Sequence, residues 1–507
     1  MPVDFNTTAA ASPIIPDWLN RRRHSGRLAI EYESVAWTYA ELHERAGHLA
    51  GQLAQNGVRT GDRVALLARH GLVYAATVHA LIQLGAVLEP LNTRLALPEL
   101  AWQLDRGRAR LLICDAEHSE LARRLRDRLQ SEGNGNAPAF LALDGEHWPV
   151  VATPVYRDHL DLREVQCVMF TSGTTGLPKG AQITYGNHLW GAVGSAFRLG
   201  VQPDDRWLTP LPLFHVGGQA VLLRSVIYGT AAIIHRSFDP DAVNQALETQ
   251  GITLVSVVPA MLTRMIANRT VPYPNTLRNI LLGGAPAPLP LLTDCMALTV
   301  PVSQSYGLTE ANSQVATLSQ EDSMRKLGSS GQPLLMNEVR IMEGGVALPP
   351  GSEGEIVLRG PTIIPGYDGQ SEADNSVFRN GWFHTGDMGY LDDEGYLFVL
   401  DRRSDLIVSG GENVYPAEVE AALLAHPDIV EAGATGVADE RYGRAVLAVV
   451  ALRAGAEHAE AEAEAEIRQF CRERLGGYKV PREIRFAKEL PRNAAGKLLR
   501  KELVKWL

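Results

Sequence analysis

The chain has 507 residues, of which 45% are hydrophobic and 21% charged, which predicts about two to four globular domains rather than a disordered chain. Its formal net charge of -10 argues against a nucleic-acid or anionic-membrane surface, since both need a basic face. No stretch approaches the roughly 20 apolar residues that cross a bilayer, and the basic residues near the N-terminus follow the apolar stretch, so we expect no membrane insertion, no secretory signal and a cytoplasmic location.

The first predicted element is an amphipathic helix that starts at a capping box formed by Thr38 and Glu41. Apolar residues then recur at helical spacing: Leu42, Ala46, Leu49 and Leu53. Short apolar strands, separated by helices and glycines, follow in the segments DRVALLA, GAVLEPLN, ARLLICDAE, RWLTPLPLF, TAAIIHR, ITLVSVVP and LRNILLGG. This alternation is typical of buried parallel strands flanked by helices, so we predict a large domain of mixed α/β subdomains.

After about residue 335 the pattern changes to short alternating segments with many glycines, such as EGGVALPPGSEGEIVLRG. These segments predict antiparallel hairpins in a small β-barrel-like part. A smaller unit that alternates helix and strand follows from Asp401, and its stretch AEHAEAEAEAE is interpreted as a solvated helix face. We therefore predict an N-terminal domain over 1–400, a hinge over 401–405 and a mobile α+β domain over 406–507.

Four cysteines are spaced singly along the chain: Cys114, Cys167, Cys295 and Cys471. No CxxC pair or histidine cluster accompanies them, so neither a zinc site nor a disulfide framework is indicated. We interpret them as small buried residues in a reducing compartment.

A stretch rich in glycine and threonine, MFTSGTTGLPKG, follows an apolar run. It is not a Walker A loop, because Pro178 precedes Lys179 and Gly180 follows it where Ser or Thr is required. Small residues nevertheless let backbone N–H groups approach a phosphate, and hydroxyl and ammonium groups add further donors. We predict a phosphate-binding loop, with a surface turn as the alternative. Its binding residues are Thr171, Ser172, Gly173, Thr174, Thr175, Gly176 and Lys179.

Four further motifs follow the loop: QSYGLTE, TGD, DRRSD and PRNAAGK. With the loop, and over essentially the whole chain, they resemble the adenylate-forming acyl- and aryl-CoA synthetases, a family that includes luciferases and peptide-synthetase adenylation domains. The resemblance implies an enzyme that uses ATP, Mg²⁺ and coenzyme A. In that family a carboxylate attacks the α-phosphorus of ATP to give an acyl-adenylate and diphosphate, and the CoA thiol then displaces AMP.

The resemblance also implies roles for individual residues around the nucleotide. Asp387 would hold the ribose hydroxyls, Tyr306 would stack on adenine, and Arg402 would reach the ribose or a phosphate. Thr309 would contact a phosphate, and Glu310 would be a hard oxygen ligand for magnesium. The neighbouring residues implied in ATP binding are Gly284, Ala285, Pro286, Ser305 and Gly307.

Lys497 resembles the family's catalytic lysine, which neutralises the substrate carboxylate and the α-phosphate oxygens as they react. The surrounding motif departs from the common PRTxTGK pattern, since Asn493 and Ala495 replace two threonines. The hinge would turn at Ser404, although many relatives carry Asp or Lys there, so the bending residue stays open. The residues implied in CoA binding lie in the SGGEN stretch and are Gly410, Gly411 and Glu412.

Four segments, including LPLFHVGGQAVLLR and SQSYGLTEANSQVATLSQEDSMRKLGSSGQPL, look most like the branch of the family that activates o-succinylbenzoate in menaquinone biosynthesis. This acid carries two carboxylates on an aromatic framework, and only the aliphatic one is activated. The second carboxylate needs a partner, because burying it unpaired is costly. We predict that His215 and Arg224 are the candidates and that Gly283 and Gly284 let the ring lie against the backbone. A core histidine and an internally paired arginine are the alternatives.

Two other functions stay open at this stage. One is a CoA ligase for another aryl, dicarboxylic or fatty acid, and the other is a non-catalytic adenylate-binding module. The presence of both Lys497 and Glu310 favours catalysis. The expected partner is a small aromatic carboxylate, and a homodimer is a further possibility because dimers are common in the family.

Overall fold

A computed structural model describes residues 13–131, 137–144, 152–171, 178–267, 269–284, 287, 289–369, 377–401, 407–414, 416–453, 460–491, 498 and 500–506. Within these ranges, no helix combines the length and the apolar character that crossing a membrane requires. All four cysteines lie in the described part of the chain, and all are buried and free of disulfide bonds, as predicted.

The N-terminal region contains two large sheets and the helices that pack on them. Its strands are β1 (Ile14–Pro16), β2 (Leu28–Tyr32), β3 (Val35–Thr38), β4 (Arg63–Leu67), β5 (Val87–Pro90), β6 (Leu111–Asp115), β7 (Ala139–Leu143), β8 (His159–Asp161), β9 (Val165–Thr171), β10 (Lys179–Thr184), β11 (Arg206–Thr209), β12 (Ala231–Ile234), β13 (Leu254–Val257), β14 (Asn279–Leu282), β15 (Val302–Leu308), β16 (Ser313–Thr317) and β17 (Gln332–Pro333). Its α-helices are α1 (Tyr39–Gln55), α2 (Leu72–Leu84), α3 (Leu97–Gly107), α4 (Ser119–Ser131), α5 (Tyr185–Leu199), α6 (Val216–Tyr228), α7 (Pro240–Thr249), α8 (Pro259–Ile266) and α9 (Leu289–Ala297). Short 3-10 turns lie at Asn20–Arg22, Ala116–His118 and Thr309–Ala311.

The two sheets are mainly parallel, as the uninterrupted apolar strands predict. The first has the order β10-β9-β5-β4-β6-β7, and the second has the order β17-β16-β15-β14-β13-β11-β12-β2-β3. β4, β5 and β6 pair in parallel, and so do β11 to β15 within the second sheet. Every residue of α2 is buried, and its cluster joins Leu66 of the first sheet to Ile234 of the second. The core therefore lies between the sheets, where parallel strands are covered on both faces.

Helix α1 forms where the local sequence predicts it. Thr38 is its N-cap: the Thr38 hydroxyl accepts from the Glu41 N–H at 3.2 Å, and the Thr38 N–H donates to Glu41 Oε2 at 2.7 Å. This capping box satisfies two backbone donors at the helix start and confirms the prediction.

The segment after β17 forms an antiparallel sheet, which confirms the predicted hairpins. Its strands are β18 (Glu338–Glu343), β19 (Val346–Ala347), β20 (Gly354–Arg359), β21 (Phe378–Arg379), β22 (Trp382–Leu391) and β23 (Leu397–Asp401). Among them, β20 pairs with both β18 and β22, and β22 also pairs with β23. This sheet carries the TGD motif on β22.

The C-terminal residues form a smaller α+β unit with a core of its own. Its elements are β24 (Ile407–Ser409), β25 (Glu412–Val414), α10 (Pro416–Leu424), β26 (Ile429–Asp439), β27 (Gly443–Leu452), α11 (Glu460–Arg472), β28 (Glu483–Phe486) and a 3-10 turn at Arg500–Trp506. The strand order is β25-β24-β27-β26, with β28 parallel to β27. The fold-class prediction, a large mixed α/β region followed by a small α+β unit, is confirmed.

Candidate active site

A cavity of about 390 Å³ lies between the N-terminal sheets and the C-terminal unit. It opens at the carboxyl ends of parallel strands β13 and β14, which is the usual place for ligands in open α/β sheets. Predicted residues from distant motifs meet in its wall: Thr171, Lys179, His215, Glu310, Asp387 and Glu412. The cavity therefore brings the loop, QSYGLTE, TGD and SGGEN motifs to one place.

The two ends of the predicted phosphate loop lie beside Glu310. Thr171 ends β9 and pairs with Lys179, the first residue of β10. The Thr171 hydroxyl donates to Glu310 Oε1 at 3.2 Å, and the Tyr367 hydroxyl donates to the same oxygen at 2.9 Å. Lys179 Nζ lies 5.3 Å from the centre of the Tyr367 ring. The loop residues Ser172, Gly173, Thr174, Thr175 and Gly176 lie outside the described residues.

The arrangement around Glu310 fits one protein ligand of a magnesium ion. Both hydroxyl donors reach Oε1, and within the described residues no hydrogen bond reaches Oε2. The described part of the chain contains no group of three or more metal-ligating side chains that could hold an ion alone. Magnesium in nucleotide sites is commonly held by one or two carboxylates together with phosphates and water, so a lone carboxylate beside a phosphate loop is compatible with it.

Tyr306 and Asp387, both predicted to bind the nucleotide, contact each other at one edge of the cavity. The Tyr306 hydroxyl donates to Asp387 Oδ2 at 2.6 Å, and the Tyr306 side chain is 4% exposed. The Thr385 hydroxyl accepts from the Asp387 N–H at 2.9 Å and donates to a β20 carbonyl at 2.7 Å, which fixes the TGD turn. These bonds hold the Asp387 carboxylate at the edge of the cavity.

A second, smaller cavity of about 60 Å³ adjoins this edge and is lined by Gly284, Ser305, Tyr306 and Gly307. Gly307 must be glycine, because a Cβ there would lie 1.5 Å from the Ser313 carbonyl oxygen. Gly284 has a φ of +82°, which favours glycine for conformational reasons. Thr309 also lines the large cavity, whereas Ala285 and Pro286 lie outside the described residues.

The part of the cavity wall that we predicted to bind the acid contains a buried arginine. Arg224 lies on α6, lines the cavity and is 3% exposed. Its Nη1 donates to the Gln314 side-chain oxygen, while its Nη2 is buried and has no hydrogen-bond partner among the described residues. Burial lowers the pKa of Arg224. Gly283 lies in the same wall, where an added Cβ would lie 2.7 Å from Ser305 Oγ.

Glu412 of the SGGEN stretch lies against the acid side rather than at the surface. It is 3% exposed, and its Oε2 lies 2.7 Å from His215 Nε2 at the start of α6. Arg94 Nη1 donates to the other Glu412 oxygen at 2.5 Å. Burial opposes the charge on Glu412, but His215, Arg94 and Lys479 hold the pKa of its carboxyl below its ordinary value. Glu412 thus joins the C-terminal unit to the predicted acid pocket.

The two glycines before Glu412 form the turn between β24 and β25. Gly410 has a φ of +59° and Gly411 a φ of +85°, both in the left-handed region. The Gly410 N–H donates to the Tyr442 carbonyl at 2.9 Å. Both glycines line the cavity, so this turn enters it from the C-terminal unit.

Lys479 forms a second connection between the two regions. Its Nζ donates to Glu99 Oε1 on α3 at 2.8 Å and to Glu418 Oε1 on α10 at 2.7 Å, and the residue is 4% exposed. Burial works against the charge on Lys479, but the carboxylates of Glu418 and Glu99 hold its pKa above its ordinary value. The C-terminal unit is therefore joined to the N-terminal region by ion pairs at both Glu412 and Lys479.

Several residues of this site were not predicted from the sequence. Tyr367 and Gln314 carry no motif signal of their own, although Gln314 lies within the long SQSYGLTE segment. Arg94 and Lys479 belong to the site only because the two regions pack together, which no local pattern predicts. The Gly-Gly pair before YKVP is a local turn signal near Lys479. Of the remaining predicted residues, Arg402, Ser404 and Lys497 lie outside the described residues.

We expect Glu412→Gln to slow thioester formation about tenfold, because it removes a buried charge that Arg94 and His215 of the N-terminal region contact. The rate of acid-dependent diphosphate release should stay within about twofold of the unaltered enzyme. Single-turnover thioester formation from preformed acyl-adenylate is the measurement, with Glu440→Gln, an exposed glutamate of the same unit, as the matched control. Equal losses in diphosphate release and thioester formation would contradict the assignment of Glu412 to CoA binding.

Comparison with known proteins places these features in a family. The model of the AMP-binding enzyme family matches residues 18–368, and the model of the AMP-binding enzyme C-terminal domain matches residues 418–497. The chain is 49% identical over 492 residues to the 2-succinylbenzoate–CoA ligase of Geobacillus kaustophilus, covering 96% of this chain and 97% of that protein.

Two solved structures of one relative differ in their agreement with this structure. A double mutant of o-succinylbenzoate CoA synthetase from Bacillus subtilis bound to its product analogue is 40% identical, with a TM-score of 0.90 and coverage of 97% of this chain and 99% of that chain. The same enzyme in complex with ATP and magnesium ion is also 40% identical, with a TM-score of 0.73 and coverage of 97% and 100%.

Proposed function

Because the chain belongs to the AMP-binding enzyme family, we propose that it joins 2-succinylbenzoate to coenzyme A as an AMP-forming ligase in menaquinone biosynthesis. The succinyl carboxylate attacks the α-phosphorus of ATP, which forms the acyl-adenylate and releases diphosphate. The CoA thiol then attacks the acyl carbon and displaces AMP, which gives 2-succinylbenzoyl-CoA. The observation that carries the choice of acid is Arg224, which is buried in the wall of the cavity and has no anionic partner among the described residues.

The nucleotide side supports the first half-reaction. Asp387 is held at the edge of the cavity by its contact with Tyr306, which supports our assignment of Asp387 to the ribose hydroxyls and of the Tyr306 ring to stacking on adenine. Lys179 and Thr309 would contact the phosphates, and Glu310 would hold magnesium, which neutralises the phosphate charge. The Thr171 and Tyr367 hydroxyls orient the Glu310 carboxylate for that role.

The acid side supports a substrate with two carboxylates. Arg224 is buried without an anionic partner among the described residues, and such a charge is stabilised strongly by a carboxylate ligand. His215 lies at the start of the same helix and pairs with Glu412. We therefore assign it to the boundary between the parts of the cavity that bind the acid and coenzyme A. The small residues Gly283 and Gly284 leave space for the aromatic ring.

We infer that the structure represents the arrangement in which the thioester forms. The two Bacillus subtilis complexes have the same identity to this chain, so their TM-scores of 0.90 and 0.73 reflect the arrangement of the units rather than sequence distance. The higher score belongs to the complex with the product analogue. In this arrangement Gly410, Gly411 and Glu412 line the cavity, which supports their assignment to the CoA side.

The domain division into 1–400, 401–405 and 406–507, with bending at Ser404, belongs to the same proposal. Rotation of the C-terminal unit about this segment would exchange the SGGEN turn for Lys497 at the cavity.

We also propose a cytoplasmic homodimer, supported by the exposed apolar side chains of Phe197, Leu335 and Met336. Light scattering coupled to size-exclusion chromatography distinguishes a dimer from a monomer.

The test of the proposed function is acid-dependent diphosphate release followed by CoA-dependent thioester formation. The acids are 2-succinylbenzoate, benzoate, malonate and a medium-chain fatty acid, compared at equal concentration. We expect strong preference for 2-succinylbenzoate in both steps. Preference for another acid would keep the ligase chemistry and reject the substrate, and absence of release with every acid would support a non-catalytic module.

A further inference from the structure

Arg224 is held in place by neutral groups. Its Nη1 donates to Gln314 Oε1 and, at 3.4 Å, to Ser195 Oγ. None of the ion pairs within the described residues includes Arg224, and burial and Tyr228 are the influences on its pKa. A buried guanidinium usually has a carboxylate partner, because the cost of removing its charge from water is high. Within the described residues, the protein therefore supplies neutral hydrogen-bond acceptors for Arg224 but no carboxylate partner.

The orientation of the Gln314 amide is fixed by its two partners. A guanidinium only donates hydrogen bonds, so the Gln314 carbonyl oxygen must face Arg224. The Gln314 Nε2 then donates to Thr317 Oγ1 at 2.9 Å. Gln314 is 2% exposed and lines the cavity, opposite Gly307 in the pairing of β15 with β16. Its backbone position is thus set by the same strand pair that carries the nucleotide motif.

We propose that Gln314 is a specificity-determining positioning residue, whose neutral amide holds Arg224 without cancelling its charge and so selects acids with a second carboxylate. This inference rests on the proposed function, since it concerns the same acid pocket. A diacid completes the ion pair at Arg224 Nη2. A monoacid of the same shape leaves the charge buried and unpaired, and a glutamate at position 314 would supply the missing anion from the protein itself.

The test compares two acids that differ only in the second carboxylate. 2-Succinylbenzoate carries a ring carboxylate, and 4-oxo-4-phenylbutyrate has the same activated chain and ring without it. The variant Gln314→Glu nearly preserves the side-chain volume and changes its charge. Acid-dependent diphosphate release gives kcat and KM for each acid, and the KM for ATP reports whether the nucleotide side is intact.

We expect Gln314→Glu to lower kcat/KM for 2-succinylbenzoate about 100-fold through KM, because two carboxylates then compete for one guanidinium. For 4-oxo-4-phenylbutyrate kcat/KM should stay the same or rise, so the preference of the enzyme for the diacid should disappear. The KM for ATP should remain within about twofold. A preserved preference for the diacid, or an equal loss with both acids, would overturn the inference.

A second variant keeps the inference testable where Gln314→Glu does not fold. Gln314→Met keeps a long unbranched side chain, removes the anchor and leaves the Arg224 charge intact. It should reduce the preference for the diacid over the monoacid about tenfold through KM, and an unchanged preference would overturn the inference. Failure of the proposed function is distinguished by the unaltered enzyme, which would then release no diphosphate with 2-succinylbenzoate or would not prefer this acid.

Discussion

Arg224→Met is expected to lower kcat/KM for 2-succinylbenzoate by about three orders of magnitude, corresponding to about 4 kcal/mol of lost transition-state binding. The loss should appear mainly in KM, because the carboxylate that we assign to Arg224 does not react. Without the guanidinium, that carboxylate must enter a buried site lined by Gln314 and Ser195, neither of which carries a charge. Steady-state diphosphate release over a range of acid concentrations is the measurement.

The controls for this substitution separate charge from packing. Arg224→Lys keeps a positive charge but loses the planar fork, so it should lie between the unaltered enzyme and Arg224→Met. With 4-oxo-4-phenylbutyrate, Arg224→Met should equal or exceed the unaltered enzyme, because the variant no longer leaves a buried charge unpaired. An unchanged KM for 2-succinylbenzoate would remove Arg224 from the acid pocket, and equal loss with both acids would make its role structural.

Local elements of the fold were predictable because their causes lie within a few residues. The Thr38 and Glu41 capping box determines where α1 begins, and Gly85 in the left-handed conformation ends α2 as its C-cap. The parallel strands were predictable from uninterrupted apolar runs, since burial on both faces removes the need for polar alternation. These local signals predict the fold class, but they do not show which strands and helices are neighbours in space.

The contacts that complete the site were not predictable in this way. Glu412 and Arg94 are 318 residues apart in the chain, and Lys479 and Glu99 are 380 residues apart. Their pairing depends on how the C-terminal unit packs on the N-terminal sheets, which no local pattern encodes. The sequence also placed Glu412 on the CoA side without indicating that it contacts His215 of the acid pocket. The motifs therefore indicated residues that line the cavity but not the contacts between them.

Lys497→Ala is expected to reduce the adenylation rate by about three orders of magnitude and to spare thioester formation. Lys497 lies outside the described residues, so this prediction rests on the PRNAAGK motif and on the match of the C-terminal family model up to residue 497. Two anions must approach each other in adenylation, and a cation between them lowers the barrier by about 4 kcal/mol. Thioester formation yields a neutral thioester as AMP leaves, so we expect it not to depend on this cation. In this structure the SGGEN turn lines the cavity.

The measurement for Lys497→Ala uses each half-reaction alone: single-turnover formation of acyl-adenylate from ATP and acid, and thioester formation from preformed acyl-adenylate. Lys479→Met is the matched control from the same unit and should show the opposite pattern. It removes the cation between Glu99 and Glu418 and leaves two largely buried carboxylates facing each other, which costs about 3 kcal/mol in this arrangement. Thioester formation should therefore slow about 100-fold while adenylation persists. Loss of the same half-reaction in both lysine variants would contradict the proposal that the C-terminal unit alternates between two arrangements, one with Lys497 at the cavity and one with the SGGEN turn there.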